Sequence, residues 1–366
     1  MRTLSMIASI LLLISIGKQD RTALATLSVP AEPTLSAASA VLYESSSGTF
    51  VLTKDADTRR PMASTTKIVT ALVATRLIDS LDEIVTVSSD AVGIEGSSLY
   101  LREGEQLSIR ELLYGLLLQS ANDAATAIAI HCSGSTSAFA DEMNKVAGEL
   151  GLSDTHFSNP HGLHADDHYT TARELAILAS VAMEDDLIRE IASTVRHTIP
   201  KTNLSPARPI LNHNKLLRLN DCAIGLKTGF TKASGRCLVG AFEKDGLSLI
   251  TITLSAPNDW EDHKKLFAYA TATLESRLIA QKGSLHYDIP IIGAKGASIR
   301  CTNAEDVIMT LPREAKNPEP SVSLPHFLVA PIRKGAIVGT LSYRYDSGMV
   351  FDIPLIADET VEQIKG

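Results

Sequence analysis

Three short stretches of this 366-residue chain carry side chains that together suit acyl transfer: Ser64-Thr65-Thr66-Lys67, then Ser120-Ala121-Asn122, then Lys227-Thr228-Gly229. They supply a serine nucleophile with a lysine base, a second hydroxyl with an amide, and a cationic strand edge. The chemistry they point to is transfer through a serine ester, for which no metal and no cofactor is expected. Order and spacing count for more than any one stretch. Ser120 lies 56 residues after Ser64 and Lys227 lies 163 after it, which leaves room for a helical subdomain between nucleophile and closing strand.

Each stretch makes a physical demand. Ser64 just before a helix and Lys67 one turn into it share a face, because residues three apart are neighbours on a helix. A lysine, ordinarily titrating near about 10.4, cannot take a proton at neutral pH unless burial or a second cation favours its neutral form. Lys227 is a candidate for that cation. The helix start at Ser64 also aims backbone N–H groups at a developing oxyanion. A polar pair such as Ser120 and Asn122, after an apolar helix, should face a cleft or be bonded internally. The Ser120 hydroxyl can relay a proton to a leaving amine, and the Asn122 amide can hold both the lysine and a substrate backbone; capping of the next helix by Asn122-Asp123 is the alternative. Gly229 lets another backbone approach its strand closely. A peptide-like substrate could then pair along that edge, with Thr228 and Lys227 meeting its terminal carboxylate. The N–H of Phe230 would complete an oxyanion hole with that of Ser64. A lone Ser-x-x-Lys is ordinarily a helix cap beside an exposed lysine, so the weight rests on the set.

The elements that must position these residues follow from periodicity. Residues 38–44 and 49–53 read as a β-hairpin around Ser45-Ser46-Ser47-Gly48. Helical spacing takes over at Lys67, and residues 80–200 read as mostly helical, with helices over 109–119, 121–131, 137–150 and 171–183 and a turn at 159–163. From residue 224 the period returns to two. Strands over 237–243 and 247–255 flank Asp245-Gly246, which suits a type I′ turn. A long helix is expected over 260–281, with Asp259 as its N-cap. The expectation is an α+β fold, a five-stranded antiparallel sheet with an inserted helical lobe, spanning 37–282. Residues 284–355 read as a small all-β domain without catalytic clusters, a spacer or docking module, and 356–366 as a tail.

Net charge −8 and a pI near 5.7 argue against a nucleic-acid partner. Met1-Arg2 precedes a 14-residue apolar run over 4–17, shorter than the roughly 20 residues of a membrane span, so 1–25 reads as a signal peptide and the protein as exported. Ala23-Leu24-Ala25 suits cleavage after Ala25, but Lys18, Asp20 and Arg21 lie close by and Ala31, Ala38 and Ala40 offer later sites, so the cut is left open. Cys132, Cys222, Cys237 and Cys301 show no C-x-x-C spacing and read as buried small apolar residues; Cys222 and Cys237 are the one pair worth testing.

The motifs in this order resemble the penicillin-recognising serine acyltransferases, and more narrowly the low-molecular-mass D-alanyl-D-alanine carboxypeptidases. The narrower resemblance rests on Pro61 to Lys67, on Ser120-Ala121-Asn122-Asp123-Ala124-Ala125, on Pro160-His161-Gly162-Leu163, and on Gly225 to Thr231, with the β-rich region following. It implies a β-lactamase/transpeptidase-like fold and removal of D-alanine from peptidoglycan pentapeptides ending in D-Ala-D-Ala, with β-lactams as covalent inhibitors. It also implies Ser64 as acylated nucleophile, Lys67 as base, Ser120 and Asn122 as relay and positioning groups, and Lys227 as carboxylate-side cation. Three departures stand out. Phe230 replaces a histidine common in relatives. The arginine that relatives often carry about 35 residues after Lys-Thr-Gly is missing from Pro257-Asn258-Asp259-Trp260-Glu261. The acidic tail, with Asp358, Glu359 and Glu362 against Lys365, does not suit the family's basic membrane-lying helix, which leaves membrane association open. Two rival readings are a serine β-lactamase and a non-catalytic cell-wall binding protein. The first lacks its deacylating Glu-x-x-x-Asn in 161–171, where only Asp166 and Asp167 are acidic, and the second would have lost a catalytic group.

Overall fold

The computed structural model describes residues 30–364; the leader expected over 1–25 lies outside the described residues. Its centre is an antiparallel sheet of five strands: β1 (Ser39–Glu44), β2 (Thr49–Lys54), β3 (Ala223–Thr231), β4 (Gly235–Lys244) and β5 (Leu247–Leu254). Their order across the sheet is β2-β1-β5-β4-β3, so chain from the two ends of the helical insertion meets in one sheet. Alternation along the strands assigns its two faces. Val41, Tyr43, Cys237, Val239, Ile250 and Ile252 pack toward the helical lobe, while Ala40, Leu42, Leu238, Phe242 and Leu249 join the opposite core. The β4–β5 hairpin turns through Asp245 and Gly246, both at positive φ, as a type I′ turn requires.

The lobe comprises α1 (Lys67–Leu77), α2 (Ile109–Leu118), α3 (Asn122–Ser133), α4 (Thr136–Glu149), α5 (Ala172–Met183) and α6 (Asp186–Ser193). Helix α2 begins with a capping pattern: Ser108 accepts the N–H of Glu111 at 3.3 Å. Thr171 does the same for Glu174 ahead of α5. Helix α3 ends on Gly134 in the left-handed region, which satisfies the carbonyl of Ile130. Two short ribbons, Ile84–Thr86 with Gln106–Ser108 and Arg196–Ile199 with Arg208–Leu211, interrupt the stretch expected to be mostly helical.

Behind the sheet, α7 (Asp259–Thr273) packs on the second core. The helix expected over 260–281 is therefore too long, since Leu274–Ala280 is a strand paired antiparallel with Val307–Pro312. Glu275 and Arg277, two apart and bonded at 2.9 and 2.6 Å, show the strand period there, and pairing with a distant segment overrides helix propensity. The expected cap at Asp259 also fails. Asn258 precedes α7 without a side-chain cap, and the Asp259 carboxylate is taken up by Arg236. The strand Leu274–Ala280 leads into an all-β unit whose six-stranded sheet includes Ile337–Arg344, Val350–Ala357, Ser298–Asn303 and His286–Ile292. Its core holds Ala280, Ile289, Ile299, Leu341 and Ile353.

Ahead of β1, the N–H groups of Ser36 and Ala37 and the Ser36 hydroxyl bind the buried carboxylate of Asp262 at 2.8 to 2.9 Å. Cleavage after Ala38 or Ala40 would remove that anchor. All four cysteines are free. The carbonyl of Cys222 accepts from Glu243 on β4, six residues along that strand from Cys237. At about 3.3 Å per residue the two are far beyond disulfide reach.

Candidate active site

Ser64 sits in a tight turn, Ala63–Thr66, immediately before α1. The turn carries strain, with Ala63 at φ +50°. Side chains tie it down: Thr65 Oγ1 donates to the Met62 carbonyl at 2.7 Å and Thr66 Oγ1 to the Ala63 carbonyl at 2.8 Å. His168 supports it from the next loop. Its Nδ1 accepts the N–H of Ser158, so Nε2 carries the proton and donates to Thr66 Oγ1 at 2.7 Å. Gly162 closes against the same turn at φ +85°, where a β-carbon would lie 2.0 Å from the Ala63 oxygen.

Lys67 is completely buried at the first turn of α1. Its Nζ has three partners: Asn122 Oδ1 at 2.6 Å, the His161 carbonyl at 2.5 Å and Ser64 Oγ at 2.9 Å. The first two can only accept. A neutral amine has two N–H bonds and one lone pair, so giving both hydrogens to Asn122 and His161 leaves the lone pair facing the Ser64 hydroxyl. The amide orientation is fixed independently, because Asn122 Nδ2 donates to the Glu95 carbonyl. The Lys67 pKa is pushed well below its usual value, chiefly by burial and then by the charge of Lys227, against an opposing pull from Asp123. Asn122 caps no helix with its side chain, so the capping alternative does not hold. Asp123 instead accepts from Ser98 Oγ and from the N–H groups of Leu99 and Leu101, fixing the loop that carries Ser97.

Strand β3 forms the other wall. At Gly229 a β-carbon would come 3.0 Å from the Ser64 nitrogen, so only glycine lets the strand run this close to the nucleophile turn. Ser64, Ser97, Ser120, Thr228, Gly229 and Phe230 line one cleft of about 350 Å³. Ser120 sits between α2 and α3 at φ +62°, and Phe230 is exposed at the rim. Lys227 departs from the expected placement. It is only 1% exposed and does not line the cleft; its Nζ donates to the Thr228 carbonyl at 3.0 Å, and burial pulls its pKa down to about 7. Asp166 and Asp167 are not among the residues that line the cleft. Both are exposed, and Asp167 accepts from Ser158 Oγ at 2.6 Å.

Sequence reasoning did not single out His213, Lys215, Arg236 or Trp260, all of which line the same cleft. Arg236 was missed because the strand expected from residue 237 starts two residues earlier and places it opposite Phe230. The three-residue loop Lys232-Ala233-Ser234, between paired Thr231 and Gly235, is the signal that fixes this register. Residues 26–258 match the sequence pattern of the D-alanyl-D-alanine carboxypeptidase family. The chain belongs to that family. Residues 274–363 match a second pattern, the C-terminal domain of penicillin-binding protein 5, which coincides with the all-β unit. Among similar proteins, D-alanyl-D-alanine carboxypeptidase DacF of Bacillus subtilis is 29% identical over 89% of this chain and 86% of its own length. DacC of Escherichia coli, also a D-alanyl-D-alanine carboxypeptidase, is 30% identical over 90% of this chain and 86% of its own. The structure of penicillin-binding protein 5 from Haemophilus influenzae superposes with a TM-score of 0.70 at 26% identity, covering 91% of this chain and all of that one. As in the sequence-based expectation, the carboxypeptidase fold is α+β, a five-stranded antiparallel sheet with helices followed by an all-β unit.

Proposed function

We infer that the chain is a serine-type D-alanyl-D-alanine carboxypeptidase that removes the terminal D-alanine from peptidoglycan stem peptides through an acyl-enzyme on Ser64. The observation that carries this reading is the buried Lys67 amine, with two acceptor partners and the Ser64 hydroxyl around one nitrogen. Neutral Lys67 takes the hydroxyl proton as Ser64 Oγ attacks the carbonyl carbon between the last two residues. The N–H groups of Ser64 and Phe230 receive the oxyanion. As the C–N bond breaks, the proton passes from Lys67 through the Ser120 hydroxyl to the departing D-alanine amine, and water then hydrolyses the ester. Asn122 and the edge of β3 hold the peptide backbone, and Thr228 faces its terminal carboxylate with Lys227 behind. β-Lactams, which mimic such a terminus, acylate the same serine.

A β-lactamase reading would need a carboxylate to activate the deacylating water, and neither Asp166 nor Asp167 lines the cleft. A non-catalytic reading is disfavoured because the nucleophile Ser64 and the base Lys67 are both present and hydrogen-bonded to each other. The apolar segment over 4–17 and a substrate in the cell wall support export, with the all-β unit as a spacer or docking module. Incubation with a peptide ending in D-Ala-D-Ala, followed by assay of free D-alanine, tests the reading. Release by wild type that disappears in Ser64→Ala is expected; no release, or undiminished release from the variant, refutes it.

A further inference from the structure

The proposed reaction needs a recognised C-terminal carboxylate, and the cation expected for it, Lys227, is buried. The sheet register explains why. Directly paired residues on neighbouring strands point to the same face, and Thr228 pairs with Leu238 while Phe230 pairs with Arg236. Thr228, Phe230, Arg236 and Leu238 therefore share one face, and Leu238 belongs to the core under α7. Lys227 pairs with Val239, which belongs to the core of the helical lobe, so its side chain leaves from the opposite face. On the Thr228 face, Arg236 is the diagonal neighbour, at a separation of about 7 to 8 Å for such positions.

The Arg236 guanidinium is held for binding. Its Nε and Nη2 donate to the two oxygens of Asp259 at 3.0 and 2.9 Å, and Asp259 is buried at the start of α7. The guanidinium also lies 5.7 Å from the centre of the Trp260 ring. Among the described residues Nη1 has no partner, and the side chain remains 43% exposed where it lines the cleft with Ser64, Ser120 and Thr228. A planar cation fixed on one edge by a buried carboxylate and open on the other suits a carboxylate ligand. We propose that Arg236, positioned by Asp259 and Trp260, binds the terminal carboxylate of the substrate beside Thr228 and sets the preference for a free C-terminus. The proposal rests on the carboxypeptidase reading above.

The test compares one peptide ending in D-Ala-D-Ala with the same peptide ending in D-Ala-D-alaninamide, scoring cleavage of the same bond. Wild type should prefer the free acid, and Arg236→Gln should lose about 10- to 100-fold in kcat/KM on the acid, as expected for a hydrogen bond to a charged group, while amide cleavage stays within about twofold. Arg236→Lys should recover part of the preference. Because Arg236→Gln strands the buried Asp259, the double variant Arg236→Gln with Asp259→Asn is measured as well and should show the same selective loss. Parallel loss on both substrates, an unchanged acid-to-amide ratio, or loss of that ratio in Lys215→Gln but not in the Arg236 variants would overturn the proposal. Release of D-alanine by wild type with the ratio intact in every Arg236 variant removes this inference alone. Absence of release by wild type removes the carboxypeptidase reading and this inference with it.

Discussion

Asn122 Oδ1 lies 2.6 Å from Lys67 Nζ, and its Nδ2 is engaged by the Glu95 carbonyl, so the amide can present only its oxygen to the lysine. Asn122→Asp keeps the shape and adds a negative charge at that point. A carboxylate this close raises an amine's pKa by about one to three units, which would leave Lys67 protonated at neutral pH. Acylation at pH 7 should fall by about 100-fold, with the acid limb of the pH profile displaced upward. Stopped-flow acylation by a chromogenic β-lactam over a pH series reads both.

Gly162 and Ala63 yield a second prediction. Alanine at 162 would put its β-carbon 2.0 Å from the Ala63 carbonyl and would hold a residue with a side chain at φ +85°. Either the nucleophile turn moves or the segment carrying the His161 carbonyl moves, and both disturb Lys67. Gly162→Ala should lose about 2 kcal/mol or more of stability by urea denaturation and at least about tenfold in acylation rate, given the strain and the overpacking.

Lys227 supplies a pH-dependent prediction with a definite sign. Burial lowers its pKa in the folded protein to about 7, against about 10.4 when unfolded. Between those values the unfolded chain binds more protons, so this group makes stability rise with pH across that window, and the penalty is complete below about pH 7. Lys227→Met should therefore be more stable than wild type at neutral and lower pH. Its advantage should shrink by up to about 1.4 kcal/mol per pH unit as pH climbs toward the unfolded value. The same variant removes the charge that helps to lower the Lys67 pKa, so the acid limb of acylation should move to higher pH. Urea titrations of both proteins at several pH values check the first statement, and a pH-independent difference would contradict it.

What the sequence made legible was what side-chain identity carries. Ser64, Lys67, Ser120 and Asn122 are named by their motifs, and the turn before α1 and the start of α3 bring them together. The five-stranded sheet followed from period-two runs and from Asp245-Gly246. Beyond the N–H groups of Ser64 and Phe230, main-chain contributions were not legible. The His161 carbonyl, a partner of Lys67, could be any residue's carbonyl, and Gly229 and Gly162 reveal their closeness to Ser64 and Ala63 only in three dimensions. Arg236 required cross-strand register, and the face on which Lys227 lies depends on the same register. Leu274–Ala280 was misread because Leu-Glu-Ser-Arg-Leu-Ile-Ala suits a helix as well as a strand, and its partner Val307–Pro312 is distant in sequence.

The cysteines give a simple check. With Cys237 near the start of β4, Cys222 bonded through its carbonyl to Glu243 near that strand's end, and all four thiols free, alkylation under denaturing, non-reducing conditions should label every cysteine in the chain. Two unlabelled cysteines would contradict this geometry.

The central claim is that Ser64 carries the acyl group. Treatment of the protein with labelled penicillin, followed by proteolysis and mass spectrometry, tests it most directly. One adduct on the peptide containing Ser64, retained for minutes or longer and absent from Ser64→Ala, is the predicted result. An adduct on another residue, an adduct that persists in Ser64→Ala, or rapid turnover with none retained would contradict the account.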